Sequence, residues 1–212
     1  MVGGTLTLDL RAFVQRHSKL RGDALVAYTY KRFPFMAIHS EIADRVLEGD
    51  DGALARIEAA RAQRGDVAVQ TIGYEGHSLE SYLNTLLHGG VNLLCDVRKN
   101  PLSRKYGFSK NALARGCQGV GIRYEHLPEL GIDSSQRRGL DTQADYDALF
   151  AEYRTSSLPR QGGALERIKG WIGEGARVAL TCYEHSPEQC HRHCVAAGLA
   201  ERFGEHFQPQ HL

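Results

Sequence analysis

The richest chemistry in this sequence is concentrated in one short run, Cys182-Tyr183-Glu184-His185-Ser186-Pro187-Glu188-Gln189-Cys190-His191-Arg192-His193-Cys194. Thiols, imidazoles and carboxylates at this density have two uses. Cys182, Cys190 and His191 are soft and borderline donors suited to zinc or iron, with Glu184, His193 and Cys194 as further donors. Alternatively, Cys182 is a nucleophile. It follows an apolar strand, and a helix start beside it, together with His191 or Arg192, would favour the thiolate. The remaining thiols, Cys95 and Cys117, stand apart, and five cysteines in uneven spacing suggest reactive thiols or metal ligands before disulfides. Cys117 and Cys194 also read as small, partly buried helix residues.

A second run, Asp96-Val97-Arg98, ends another apolar strand. Residues two apart in a strand point the same way, so Asp96 and Arg98 act together. Asp96 is read as a general base, a metal ligand or the partner of Arg98. Arg98 suits forked recognition of a phosphate or carboxylate.

Charge supports an anionic partner. The net charge is only +1, yet residues 98–138 carry nine Lys or Arg against three acids, while 66–97 carry four acids and no Lys or Arg. Lys99, Arg104, Lys105, Tyr106, Phe108 and Lys110 mix cations with rings that could stack on bases. A pI near 7.7 falls short of a dedicated nucleic-acid binder.

The elements that must position these groups follow from periodicity. Residues 67–74, 91–97, 122–127 and 176–182 read as strands, of which 91–97 and 176–182 are apolar runs of buried-strand length. Helices are expected from Ser78 to the Gly89-Gly90 stop, over 109–118 behind a Ser109 cap, over 143–155 and 161–174, and from Pro187 to about Phe203 behind a Ser186 cap. The helix after Ser78 should bury Leu79, Tyr82, Leu83, Leu86 and Leu87. Residues 128–142 read as a long loop. Alternating strands and helices imply an α/β fold, a mostly parallel, helix-covered sheet of Rossmann-like three-layer type. Ligands of such sheets bind beyond the strands' carboxyl ends, and Gly73-Tyr74-Glu75, Asp96-Val97-Arg98 and Cys182-Tyr183-Glu184 all fall there.

Residues 1–65 differ in texture and are expected to form an N-terminal helical extension to the domain at 66–212. Leu8, Leu10, Phe13 and Val14 start an amphipathic helix ending near Gly22; residues 24–33 are ambiguous; Ile38, Ile42, Val46 and Leu47 have helical spacing; and 51–64 read as a further helix. No apolar run approaches the ~20 residues that span a bilayer. The opening residues lack a basic region followed by an apolar core, so a cytoplasmic protein without a membrane partner is expected, with a homo-oligomer left open.

Four blocks in this order resemble the family called domain of unknown function 488, over about residues 66–205. They are Thr71-Ile72-Gly73 with Ser78-Leu79-Glu80; Leu94-Cys95-Asp96-Val97-Arg98 followed by Pro101, Ser103-Arg104 and Phe108; Tyr124-Glu125-His126-Leu127-Pro128-Glu129-Leu130-Gly131; and Ala179-Leu180-Thr181-Cys182-Tyr183-Glu184 with Pro187-Glu188 and Cys190-His191-Arg192. The resemblance implies a compact α/β domain and carries no activity with it. One departure is Gly73-Tyr74-Glu75-Gly76-His77, where many members have Gly-His-Ser. The aspartate-valine-arginine strand end with a cysteine loop also resembles rhodanese-like sulfur carriers. Against that mechanism, 183–189 contain no Gly, Pro187 removes an amide, and Arg192 lies ten residues beyond Cys182, too far for a phosphate-type cysteine loop.

The expected function is therefore an enzyme, a hydrolase or transferase, acting on an anionic small molecule or nucleic acid in a rim pocket. Asp96, Cys182, Glu184 and His191 are the catalytic candidates. Arg98, Ser103, Arg104, Tyr124, His126 and Arg192 are the substrate-binding candidates. A non-catalytic nucleic-acid binder and a metal- or redox-responsive protein built on Cys182–Cys194 are the alternatives.

Overall fold

The computed structural model describes residues 12, 14–62, 68–137 and 139–212, and the chain divides into two compact units, Met1–Gln63 and Arg64–Leu212. Of the expected first helix, Leu8, Leu10 and Phe13 lie outside the described residues, as does Val67 of the first strand.

In the first unit, α1 (Gly22–Arg32) begins at the glycine where a helix was expected to end, which settles the ambiguous 24–33 stretch as helical. A 3-10 turn over Pro34–Ala37, a short α2 (Ala43–Val46) and α3 (Asp51–Ala62) follow. Ala37, Ala43, Leu47, Ala53 and Ile57 form their shared core. The helical spacing of Ile38, Ile42 and Val46 yields only one short turn of helix.

The second unit is a five-stranded, all-parallel sheet in the order β3-β2-β4-β1-β5. Its elements run β1 (Val69–Gly73), α4 (Leu79–His88), β2 (Leu93–Asp96), α5 (Lys110–Gly119), β3 (Arg123–His126), α6 (Gln143–Glu152), α7 (Gly162–Gly173), β4 (Val178–Cys182), α8 (Arg192–Phe203) and β5 (Gln210–His211). Parallel strands must bury both faces, and the all-buried β1, β2 and β4 do so. The period of two divides their residues between two cores. Leu94 and Ala179 pack with Tyr82 and Leu86 of α4 and Leu113 and Cys117 of α5. Leu93, Cys95, Val97, Leu180 and Cys182 pack on the other face with Leu165 and Ile168 of α7 and Val195 and Leu199 of α8. The result is three layers, α/β/α. Truncating a fully buried leucine such as Leu86 to alanine is expected to cost about 2–5 kcal/mol.

Ser78 caps α4 as expected, its Oγ accepting from Ser81 N at 3.1 Å. Two other caps do not form. Ser109 Oγ instead clasps the preceding loop, accepting from Ser103 N at 3.1 Å and donating to Ser103 O at 3.0 Å. Ser186 donates its hydroxyl to Glu188. The expected helix from Pro187 is also two elements, a 3-10 turn over Pro187–Gln189 and then α8 from Arg192. Cys190 between them is extended. After α6 the chain widens into a π-helical turn over Tyr153–Ser157 and then tightens into a 3-10 turn over Leu158–Gln161 before α7 begins. β5, two exposed residues, had no expected counterpart.

Candidate functional site

Asp96 closes β2 on the α4/α5 face, where the Tyr74 and Phe108 side chains also lie. Its carboxylate is fully engaged. Oδ1 accepts from Arg98 N (3.1 Å) and Nε (2.8 Å), while Oδ2 accepts from Arg98 Nη2 (2.5 Å) and the Tyr124 hydroxyl (2.7 Å). Arg98 also donates through Nη1 to Tyr74 OH (3.0 Å) and Phe108 O (2.9 Å). Burial opposes the charge on Arg98, but the Asp96 carboxylate outweighs it and holds the guanidinium pKa above its ordinary value. Tyr124 is likewise pushed up, by burial first and then by Asp96. His126 is tied to the same turn, with Nε2 donating to Arg98 O at 2.9 Å, which leaves Nδ1 to accept from Lys110 at 3.1 Å. Asp96, Tyr124 and His126 thus hold Arg98 and its backbone in place.

Cys182 closes β4 on the opposite face, among α7 and α8. Its Sγ donates to Glu184 Oε2 at 3.5 Å, lies 3.9 Å from His191 Nδ1, and is within 4.8 Å of the Cys190 thiol. His191 Nε2 lies 3.0 Å from Val97 O. A carbonyl only accepts, so Nε2 carries a proton, and in the neutral imidazole Nδ1 presents its lone pair to the thiols. The hydrogen bond from Cys190 lowers the Cys182 pKa to about 7 against the opposing effect of burial, with Arg137, Tyr183 N–H and Arg192 assisting. Burial, and then Cys182 itself, push Cys190 upward. Glu184 is ion-paired to Arg137 through its other oxygen, Oε1.

The two networks lie on opposite faces of the sheet and meet at its carboxyl rim. There Arg98, Lys99, Arg137 and Cys182 line one cleft of about 420 Å³, walled by Tyr74, Tyr183 and the 132–134 segment. Two glycines make this closure possible. A Cβ on Gly73 would fall 1.8 Å from Glu184 O, so only glycine lets the exits of β1 and β4 run side by side. A Cβ on Gly131 would fall 2.0 Å from Lys99 N, so glycine brings the 131–137 loop against the end of β2 and carries Arg137 over the cleft.

The structure brings Cys182, Glu184, Cys190 and His191 together and places Arg98 on the same rim. It does not bring the remaining expected residues there as ligands. Arg192 is buried, donating through Nη1 to Glu184 O (2.5 Å) and through Nη2 to His185 O (2.8 Å), so it shapes the cysteine loop from behind. Ser103 organises its own loop by accepting from Lys105 N at 3.1 Å. Arg104 is exposed on that loop. Of the cleft cations, sequence reading named Lys99 only within the basic, base-stacking surface and did not name Arg137. The signals were present: both lie in the basic stretch, and Arg137 sits in the long loop after Gly131.

Comparison with known proteins agrees with the earlier resemblance. A family model described as "Domain of unknown function DUF488" matches residues 78–199. No curated protein and no solved structure matched the chain.

Proposed function

This chain belongs to the DUF488 family, a domain of unknown function, and from its site we propose an enzyme that draws an anionic, phosphate-bearing substrate into the cleft at the carboxyl ends of β1, β2 and β4. The observation that carries this reading is the meeting of Arg98, Lys99 and Arg137 over the buried Cys182 in a single cleft. Three cations against Asp133, the carboxylate among the lining residues, give the cleft a positive excess, and such an excess between low-dielectric walls concentrates an oppositely charged ligand. Arg98, immobilised by Asp96, is a rigid positive wall, and rigidity spares the cost of ordering a side chain on binding. Lys99 and Arg137 meet the anion from the solvent side. The reacting groups are at the floor, where Cys182 and Glu184 lie 3.5 Å apart and Glu184 is oriented by Arg137. A carboxylate held in this way is placed to take or give a proton, as hydrolysis or group transfer requires.

The test is turnover against a panel of phosphomonoesters, phosphodiesters and nucleotides. Glu184→Gln keeps an oxygen for Arg137 but removes the base, and should lower kcat about 10²–10⁴-fold with KM little changed. A panel with no substrate, or a Glu184→Gln protein as active as the wild type, would contradict the proposal.

A specific observation favours a second reading, nucleic-acid binding, on the same rim. Leu102 and Tyr106 are 75% and 93% exposed, beside exposed Arg104. Exposed rings next to cations are platforms for unpaired bases. Lys105 does not contribute to that face, since its ammonium donates to Tyr74 O at 3.0 Å. On this reading a single-stranded oligonucleotide would bind with steep salt dependence, and Tyr106→Ala would weaken it.

A further inference from the structure

We propose that Cys182, Cys190 and His191 form a binding site for a divalent metal of the zinc class, with an exchangeable position facing the cleft. The Sγ atoms of Cys182 and Cys190 and Nδ1 of His191 all lie within 4.8 Å of one another, and all three residues are buried. Tetrahedral zinc with bonds of about 2.0–2.3 Å sets its ligand atoms about 3.3–3.8 Å apart. The Cys182 Sγ to His191 Nδ1 separation of 3.9 Å is already close to that spacing.

The second observation is the orientation of the imidazole. His191 donates Nε2–H to Val97 O at 3.0 Å, so the nitrogen turned to the thiols is the one whose lone pair is free in the neutral ring. Metal-binding histidines are held in this way, by a hydrogen bond from the other ring nitrogen that fixes both tautomer and ring plane. The chain break supplies the third. Because Cys190 is extended rather than helical, its thiol turns inward to Cys182, and α8 begins only after His191.

Three protein donors are one fewer than closed structural zinc sites use, and they match the pattern of sites that keep a water or substrate in the fourth position. Cys182 lines the cleft, so the open position faces the proposed substrate space. Glu184 Oε2, 3.5 Å from Cys182 Sγ, lies beside that position as a base for a metal-bound water. The inference deepens the proposed enzyme by naming its cofactor class, and it rests on residues other than the cations that define the anion cleft.

The experiment is metal analysis of the full chain, purified without an affinity tag and then reconstituted with zinc or with cobalt(II). We expect about one metal per chain and, for cobalt, thiolate charge-transfer absorption with the visible bands of a tetrahedral site. Cys190→Ser and His191→Ala should each weaken metal binding at least about a hundredfold, since loss of an outer partner alone costs 10–100-fold. Cys95→Ser, a buried thiol outside the site, should retain the metal. Absence of uptake by the wild type, a cobalt spectrum without thiolate bands, or Cys190→Ser binding as tightly as the wild type would each overturn the proposal. Pyrophosphate binding, probed through Lys99→Ala, reads the cleft separately, so either reading can fail alone.

Discussion

His191 donates a hydrogen bond to the Val97 carbonyl at 3.0 Å, and this contact joins the loop after β4 to the end of β2. The imidazole is thereby held with Nδ1 toward Cys182, and the strand end that carries Arg98 is held next to the cysteine loop. The same contact serves both halves of the site.

Asp96→Asn is expected to be a stability variant before it is an activity variant. The sequence suggests a catalytic base whose removal would abolish activity and spare the fold. The structure shows a carboxylate with no exposed surface, paired to an Arg98 that is 5% exposed. Removing one charge leaves the other buried and unpaired, at a cost of about 3–5 kcal/mol. Urea denaturation of the variant should show that loss; an unchanged midpoint would restore a catalytic role.

Gly131→Ala removes no functional group, yet it should damage binding. The added methyl would press on the Lys99 backbone and force the 131–137 loop outward, taking Arg137 with it. A stability loss of about 1–3 kcal/mol is expected from the overpacking. Pyrophosphate affinity at a temperature where the variant is folded should fall several-fold; wild-type affinity would show that the loop does not shape the site.

Acid should loosen β5 through His211. Its ring Nδ1 lies 2.6 Å from Thr71 Oγ1, and burial, with Arg192 and His193, holds its pKa below the ordinary value against the opposing pull of Glu188. The unfolded chain therefore takes up this proton first. The contribution is complete above the unfolded pKa of about 6.5 and is lost as pH falls through the folded value. The protection of the Leu212 amide, whose N–H bonds Thr71 O at 2.9 Å, should fall between pH 7.5 and 5 once the intrinsic exchange rate at each pH is divided out. His211→Gln should flatten that dependence, and an identical slope would remove His211 as its source.

Stripping metal should lower the melting temperature. A ligand present at 100 times its dissociation constant stabilises by about 2.7 kcal/mol if it binds only the folded state. Chelator treatment should lower Tm by several degrees and zinc should restore it, with Cys190→Ser showing neither effect.

Some of this was written in local pattern. The buried runs at β2 and β4 and the capped α4 follow from apolar composition and a serine in the right place, and the cluster around Cys182 follows from residue type. Other features depend on partners distant in sequence. The break at Cys190-His191 is not foreshadowed by proline or glycine. Local propensity continues a helix there, and the burial of both side chains against the ends of β2 and β4 overrides it. Lys99 and Arg137 become neighbours of Cys182 only because Gly131 lets one loop approach another. Asp96 and Arg98 were readable as a pair, but their burial was not. β5 is too short and too exposed to carry a hydrophobic signature.

The central claim is that the cleft over Cys182 holds the anion. Calorimetric titration with inorganic pyrophosphate, comparing the wild type with Lys99→Ala and with a Lys99→Ala/Arg137→Ala protein, tests it most directly. The account predicts one saturable site, weakened by added salt as charge attraction is screened. Affinity should fall stepwise and by at least about tenfold in the double variant, which corresponds to about 1.4 kcal/mol. No binding by the wild type, or equal binding by all three proteins, would contradict it.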